Sequence, residues 1–157
     1  MRRRSARLTV RRRICSIAAR GRDGTLAAYD PPENQHREQI LRRSIVPARI
    51  SEATAGEARA IGRKVAEALD YTGVLAVEMF VVEEAGATRL IANEIAPRVH
   101  NSGHWTQDAC AVSQFEQHIR AIAGWPLGPT TRHADAVMDN LIGCDVETWP
   151  EQLGQRA

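Results

Sequence analysis

Two apolar runs, 73–82 and 90–96, flank the polar stretch Glu83–Arg89, with Gly86 near its middle. This pattern predicts a β-hairpin with a longer loop. If Gly86 lies on the midline, Glu78 stands opposite Glu94, and both carboxylates project from one face of adjacent strands. Like charges directly opposed across a sheet are destabilising, because cross-strand neighbours sit only about 5 Å apart. Both stay ionised cheaply only if a cation lies between them. A hard dication such as Mg2+, held by one or two carboxylates plus phosphate oxygens, removes the conflict. A register shift or bulge that turns one glutamate to solvent removes it equally well.

The remaining pattern predicts an α+β chain, mainly an antiparallel sheet covered by two helices. Runs 15–19 and 25–29 are short and mainly apolar, and Asp23-Gly24 marks a hairpin turn between them. Residues 31–37 read as a loop and 40–50 as the next strand, ending near Pro47. Ser51 is placed to cap a helix running to about Leu69, whose apolar face is weakened by Gly56 and Gly62. Ser113 and Glu116 fit a capping box, and Val112, Phe115, Ile119 and Ile122 follow a helical stripe. Gln114, Gln117, His118 and Arg120 then form the wet side of that helix, which stops at Gly124 before Pro126. A last apolar run covers 136–143.

Chemistry is concentrated just after the hairpin. Pro97 ends the second strand, and Arg98, His100, Asn101, Ser102 and His104 crowd around Gly103. A guanidinium offers a planar fork to carboxylate or phosphate, an imidazole can hold or move a proton near neutrality, and amide and hydroxyl groups add neutral hydrogen bonds. Such a loop beside paired carboxylates suits an anionic substrate. Without the carboxylates it reads as a solvated loop.

Composition narrows the setting. With 157 residues there is room for one domain, and no apolar run reaches the length of a membrane span. Cys15, Cys110 and Cys144 are widely spaced, without a CxxC pair, and read as free thiols of a cytoplasmic protein. Seven arginines and no acidic residue fall within residues 1–13, which read as a basic, disordered arm. Beyond the arm, 14 basic residues face 19 acidic ones, which opposes a nucleic-acid partner.

Val77-Glu-Met-Phe80, the block Asn93-Glu-Ile-Ala-Pro-Arg-Val-His-Asn-Ser-Gly-His-Trp-Thr106, and Ser113-Gln-Phe-Glu116 resemble the 5-(carboxyamino)imidazole ribonucleotide synthases of the ATP-grasp superfamily. The resemblance runs from about Cys15 to Trp149 and implies that residues 14–149 are the C-terminal part of an ATP-grasp domain, with 150–157 a tail. It implies ATP-dependent carboxylation of 5-aminoimidazole ribonucleotide with bicarbonate, with ATP and Mg2+ as cofactors. By the same resemblance Glu78 and Glu94 hold the metal, and His36, Asn93 and Glu94 lie at the nucleotide. Arg98 and His100 are catalytic, and Asn101 and Ser102 orient substrate. The sequence departs from the pattern at Arg13, where the family has a glutamate, and at Ala96, where many relatives have an asparagine ligand. Lys64 is its only lysine, whereas the family uses several at the nucleotide and active site. The chain is therefore expected to be a fragment inactive alone, with a homodimer or a complementing fragment as partner. The alternative is a non-catalytic Mg2+–nucleotide module completed by another chain.

Overall fold

A computed structural model describes residues 9–84 and 86–147. Its axis is β1 (Thr9–Arg20), in which every residue from Ile14 to Ala19 is buried. A strand covered on both faces loses the alternation of a half-exposed one, and the two faces of β1 feed two cores. Ile14 and Ala18 pack with Leu75, Val77 and Met79, whereas Cys15, Ile17 and Ala19 pack with Val74, Ala76, Ala96 and Trp105. Each fully buried Ile, Leu or Val contributes about 1.5–3 kcal/mol.

Around β1 lie β2 (Leu26–Ala28), β3 (Glu33–Arg37), β4 (Ile40–Val46), β5 (Gly73–Glu84), β6 (Ala87–Ala96) and β7 (Ala136–Asp139). They form one sheet in the order β6-β5-β1-β3-β4-β7, with β2 also on β1, and the described pairings are antiparallel. One face is covered by α1 (Glu52–Ala68), the other by the loop after β6, the one-turn α2 (Thr106–Ala109) and α3 (Gln114–Ala123). Ser51 caps α1 by accepting the Thr54 N–H at 3.1 Å, and Leu69 ends it. Gly62 is the point of closest approach to β1: a Cβ there would stand 2.3 Å from the Ser16 hydroxyl. A glycine that weakens the isolated helix thus lets the helix seat on the sheet.

Several expectations need correction. Residues 31–37 do not form a loop throughout, because Glu33–Arg37 is strand β3 between β1 and β4. Its polar residues are tolerated inside the sheet because they are paired: Glu33 accepts from Arg12 and Arg49, and Asn34 bonds Ser44 and Ser102. The turn into β4 has φ of 53° at Glu38 and 64° at Gln39, the left-handed pair of a tight hairpin without its usual Asn-Gly signature. Residues 9–13, assigned to the arm, begin β1, with Arg11 on Glu83 and Arg12 on Glu33. Residues 1–8 of the arm and the tail 150–157 lie outside the described residues. The last strand covers only Ala136–Asp139 of the run 136–143.

The hairpin loop is also shorter than predicted, since β5 and β6 extend to Glu84 and Ala87. Arg89 pairs with Glu84 across its end. The largest departure concerns α3. Gln114 and Gln117 are fully buried, while Ile119 and Ile122 are exposed. Ser113 caps the helix through the Glu116 N–H, but Glu116 pairs with Arg120 instead of completing a box. Gly124 ends α3 with φ of 74°.

Glu33 carries an expected pH dependence. Its side chain is 5% exposed and accepts from the Arg49 side chain and backbone. The Arg49 hydrogen bonds hold its carboxyl below the usual range, with the Arg12 charge adding to them and burial opposing. A depressed folded-state pKa adds stability above the unfolded value, about 4.3, which is lost as pH falls through the folded value. Urea unfolding of Glu33→Gln should show reduced stability at neutral pH and a shallower loss on acidification than the native chain. An unchanged acid limb would count against this role.

Candidate functional site

The site begins with the register of the central hairpin. Glu78 pairs directly with Glu94, so both carboxylates leave the same sheet face. The pairing arises differently from the expected symmetry. Next to the turn Glu84 pairs with Ala87, and the ladder shifts by one residue between Glu78 and Met79, whose partner is Ala92. Asn93 is the extra residue of this bulge. Bulges bend the strand and re-aim side chains beside functional sites, and here the bulge returns Glu94 to the face of Glu78. The Glu78 side chain is 17% exposed, whereas Glu94 and Asn93 stand exposed on the edge strand.

The loop after β6 folds back over that face. His100 is buried, with Nε2 3.9 Å from Glu78 Oε1, too far for a direct hydrogen bond. Burial lowers its pKa, Glu78 works in the opposite sense, and Arg98 adds to the lowering. Arg98 is exposed, and its guanidinium donates to the Val99 carbonyl at 3.0 Å. Asn101 carries a buried Oδ1 that has no hydrogen-bond partner among the described residues. Ser102 is fully buried and accepts from Asn34 Nδ2 at 2.7 Å. The candidates Glu78, Glu94, His100 and Ser102 are therefore brought together, while Arg98 stays at the rim.

Strand β3 supplies the other wall. His36 is half-buried, and its Nδ1 is buried without a partner among the described residues. Burial lowers its pKa, followed by the charge of Arg13, and Glu78 acts in the opposite sense. Arg13 pairs with Phe80 across β1 and β5, with its guanidinium carbon 5.3 Å from the ring centroid. The unexpected arginine is thus held on an aromatic face, where a cation is attracted by the ring quadrupole.

Sequence reasoning missed Gln114. Its Oε1 accepts the His100 N–H at 3.0 Å and its Nε2 donates to the His100 carbonyl at 2.7 Å. One amide thereby satisfies the backbone N–H of the central histidine and shares its carbonyl with the Gly103 N–H at 2.9 Å. Thr106 Oγ1 reinforces the clamp by donating to the Gly103 carbonyl and accepting the Gln114 N–H. Gly103 leaves room for it: a Cβ there would lie 2.5 Å from Gln114 Oε1. The only available signal was negative, namely two glutamines on a helix whose apolar stripe finds no cover.

Two carboxylates in register are the oxygen donors a hard dication takes, so the residues fit Mg2+. Among the described residues no cluster of three or more His, Cys, Asp or Glu side chains suits a metal. An ion held here would complete its shell with phosphate oxygens and water.

An antiparallel sheet presenting paired glutamates beside an Arg/His loop defines a class, and the family model for the ATP-grasp domain matches residues 7–115. The chain belongs to the ATP-grasp family. Within it, the chain is 56% identical over 145 residues to the N5-carboxyaminoimidazole ribonucleotide synthase of Brucella melitensis, covering 92% of this chain and 39% of the relative. The synthase of Escherichia coli K12 is 42% identical over 133 residues, covering 85% of this chain and 36% of that protein. The structure resembles that of an N5-carboxyaminoimidazole ribonucleotide synthetase in complex with ADP, with a TM-score of 0.87 at 42% identity over 93% of this chain and 38% of that one. It also resembles the Aspergillus clavatus synthase in complex with ADP and 5-aminoimidazole ribonucleotide, at TM-score 0.85 and 31% identity over 92% and 39% of the two chains. The chain thus spans about two fifths of the length of these relatives. No described helix is long and apolar enough to cross a membrane.

Proposed function

We propose that this chain carries the Mg2+–phosphate half of the site for ATP-dependent carboxylation of 5-aminoimidazole ribonucleotide with bicarbonate, a cytoplasmic step of purine synthesis. The observation behind this reading is the direct Glu78–Glu94 register, with His100 3.9 Å from Glu78. A bound Mg2+ would neutralise phosphate charge during phosphoryl transfer. Glu78 and Glu94 hold that ion, and Asn93 and His36 border the nucleotide. Arg98 supplies a fork for bicarbonate and the carboxylated phosphate formed from it, and His100 donates a hydrogen bond to an anionic oxygen. Asn101 and Ser102 orient the substrate.

One observation favours a second reading, in which the chain binds Mg2+ and nucleotide and a further polypeptide, or a second copy, completes catalysis. Lys64 lies exposed on α1, and α1 covers the sheet face opposite Glu78, so the sole lysine is remote from the site. Calorimetry with ADP should show binding that requires Mg2+. Mg2+-dependent binding without ADP release is expected of the chain alone, and robust ADP release from ATP that depends on both aminoimidazole ribonucleotide and bicarbonate would contradict the fragment reading. A chain that binds ADP equally well with and without Mg2+ would overturn both.

A further inference from the structure

Behind His100 a line of buried hydrogen bonds crosses three elements. Ser44 on β4 is fully buried, and its hydroxyl has one hydrogen-bond partner among the described residues, Asn34 Oδ1 at 2.8 Å. Asn34 on β3, also buried, donates from Nδ2 to Ser102 Oγ at 2.7 Å. Ser102 Oγ lies 3.1 Å from His100 Nδ1, and the Ser102 backbone N–H donates to the same nitrogen at 3.3 Å. We propose that Ser44 and Asn34 are positioning residues that hold His100 in a single neutral tautomer, with its proton on Nε2 and facing Glu78.

The donors and acceptors around each atom set where the protons lie. A buried hydroxyl needs an acceptor, so the Ser44 proton goes to Asn34 Oδ1. That fixes the amide orientation and makes Nδ2 the donor to Ser102. Accepting from Asn34, the Ser102 hydroxyl directs its own proton to His100 Nδ1, a better acceptor than the neighbouring Cys15 sulfur. The Ser102 backbone N–H points to the same lone pair, so Nδ1 accepts and the ring proton resides on Nε2. If the amide were reversed, Asn34 would accept the Ser102 proton. The Ser102 oxygen would then present a lone pair to Nδ1 and draw the imidazole proton there. The orientation of one amide therefore either reinforces or opposes the hold of the Ser102 backbone N–H on Nδ1, and with it the donor that the ring offers to the carboxylate face. The second nitrogen of a functional histidine is commonly set in this way by the partner of the first. The chemical use of that proton, a hydrogen bond to a phosphate or carboxylate oxygen, rests on the proposed function; the tautomer does not.

The test is the ring nitrogen shifts of His100 in 15N-histidine-labelled chain at neutral pH, assigned by their loss in His100→Gln. The native chain should show an unprotonated Nδ1 and a protonated Nε2. In Asn34→Asp both side-chain oxygens accept, which turns the Ser102 hydroxyl away from His100. The tautomer ratio should move about tenfold towards Nδ1–H, the factor one ordinary hydrogen bond supplies. Ser44→Ala, which frees the amide to rotate, should give a mixed population and serves if Asn34→Asp does not fold. A native chain protonated at Nδ1, or variants with the native ratio, would overturn the proposal. Because no nucleotide is present, a failure of Mg2+-dependent binding leaves this result intact, and the converse also holds.

Discussion

Replacing Glu78 by glutamine is expected to stabilise the metal-free chain and to remove its Mg2+-dependent nucleotide binding. The two effects have one origin. Glu78 stands in direct register with Glu94 on one sheet face, and opposed like charges at that spacing cost about 0.2–1 kcal/mol relative to a neutral pair. Glutamine keeps the shape and removes one charge, so urea unfolding without metal should shift to higher denaturant by that amount. The same charge is the attraction for the dication. Groups that merely support metal ligands are worth about 10–100-fold in affinity, so loss of a ligating carboxylate should weaken Mg2+-dependent ADP binding by more than about 100-fold. Calorimetry and unfolding of one variant measure both signs. A variant that loses stability and still binds as the native chain does would show that the pair is structural. Functional sites are commonly held at a cost in stability, and here the cost is assigned to one pair.

The second large effect is expected at Gln114. In Gln114→Leu the buried His100 N–H loses its partner, at about 1–3 kcal/mol for an unsatisfied group, while the His100 carbonyl keeps the Gly103 N–H at 2.9 Å. Total destabilisation should be about 1–3 kcal/mol for that group, with a smaller addition for the loss of one of the carbonyl's two bonds. Hydrogen exchange should report the same loss locally, with the His100 amide exchanging faster than amides of β1. Gln114→Glu retains an acceptor for the N–H but, when ionised, no donor for the carbonyl, so it should fall between. A leucine variant with native stability and native His100 protection would mean that the other contacts of the loop, Asn34 with Ser102 and Thr106 with Gly103 among them, suffice to hold it.

Legibility in the sequence followed the range of the interaction concerned. Helix α1 was readable to within its caps because Ser51 and its bond to Thr54 are local. The hairpin at Asp23-Gly24 was readable because Gly24 needs a positive φ, here 81°, and the Asp23 side chain bonds Thr25 two residues on. Strand β3 was not readable. Glu33, Asn34 and His36 look like a loop until Arg12, Arg49, Ser44 and Ser102 supply partners from other elements. The inverted face of α3 has the same cause: no local rule says that Gln114 will meet the backbone of His100, or Gln117 that of Gly128.

Glu78 opposite Glu94 is the instructive intermediate case. The expected partner was correct, yet the turn is tighter than supposed, and the bulge at Asn93 makes up the difference. By itself the sequence determined which residues could do chemistry and on which segments they lie, because residue type, caps and turn glycines act over a few positions. Only the tertiary structure decided which polar side chains are buried, which way the bulge aims Glu94, and which amide holds His100. A buried polar group is stable only when a partner from elsewhere in the chain arrives, and folding brings that partner across distances no local pattern encodes.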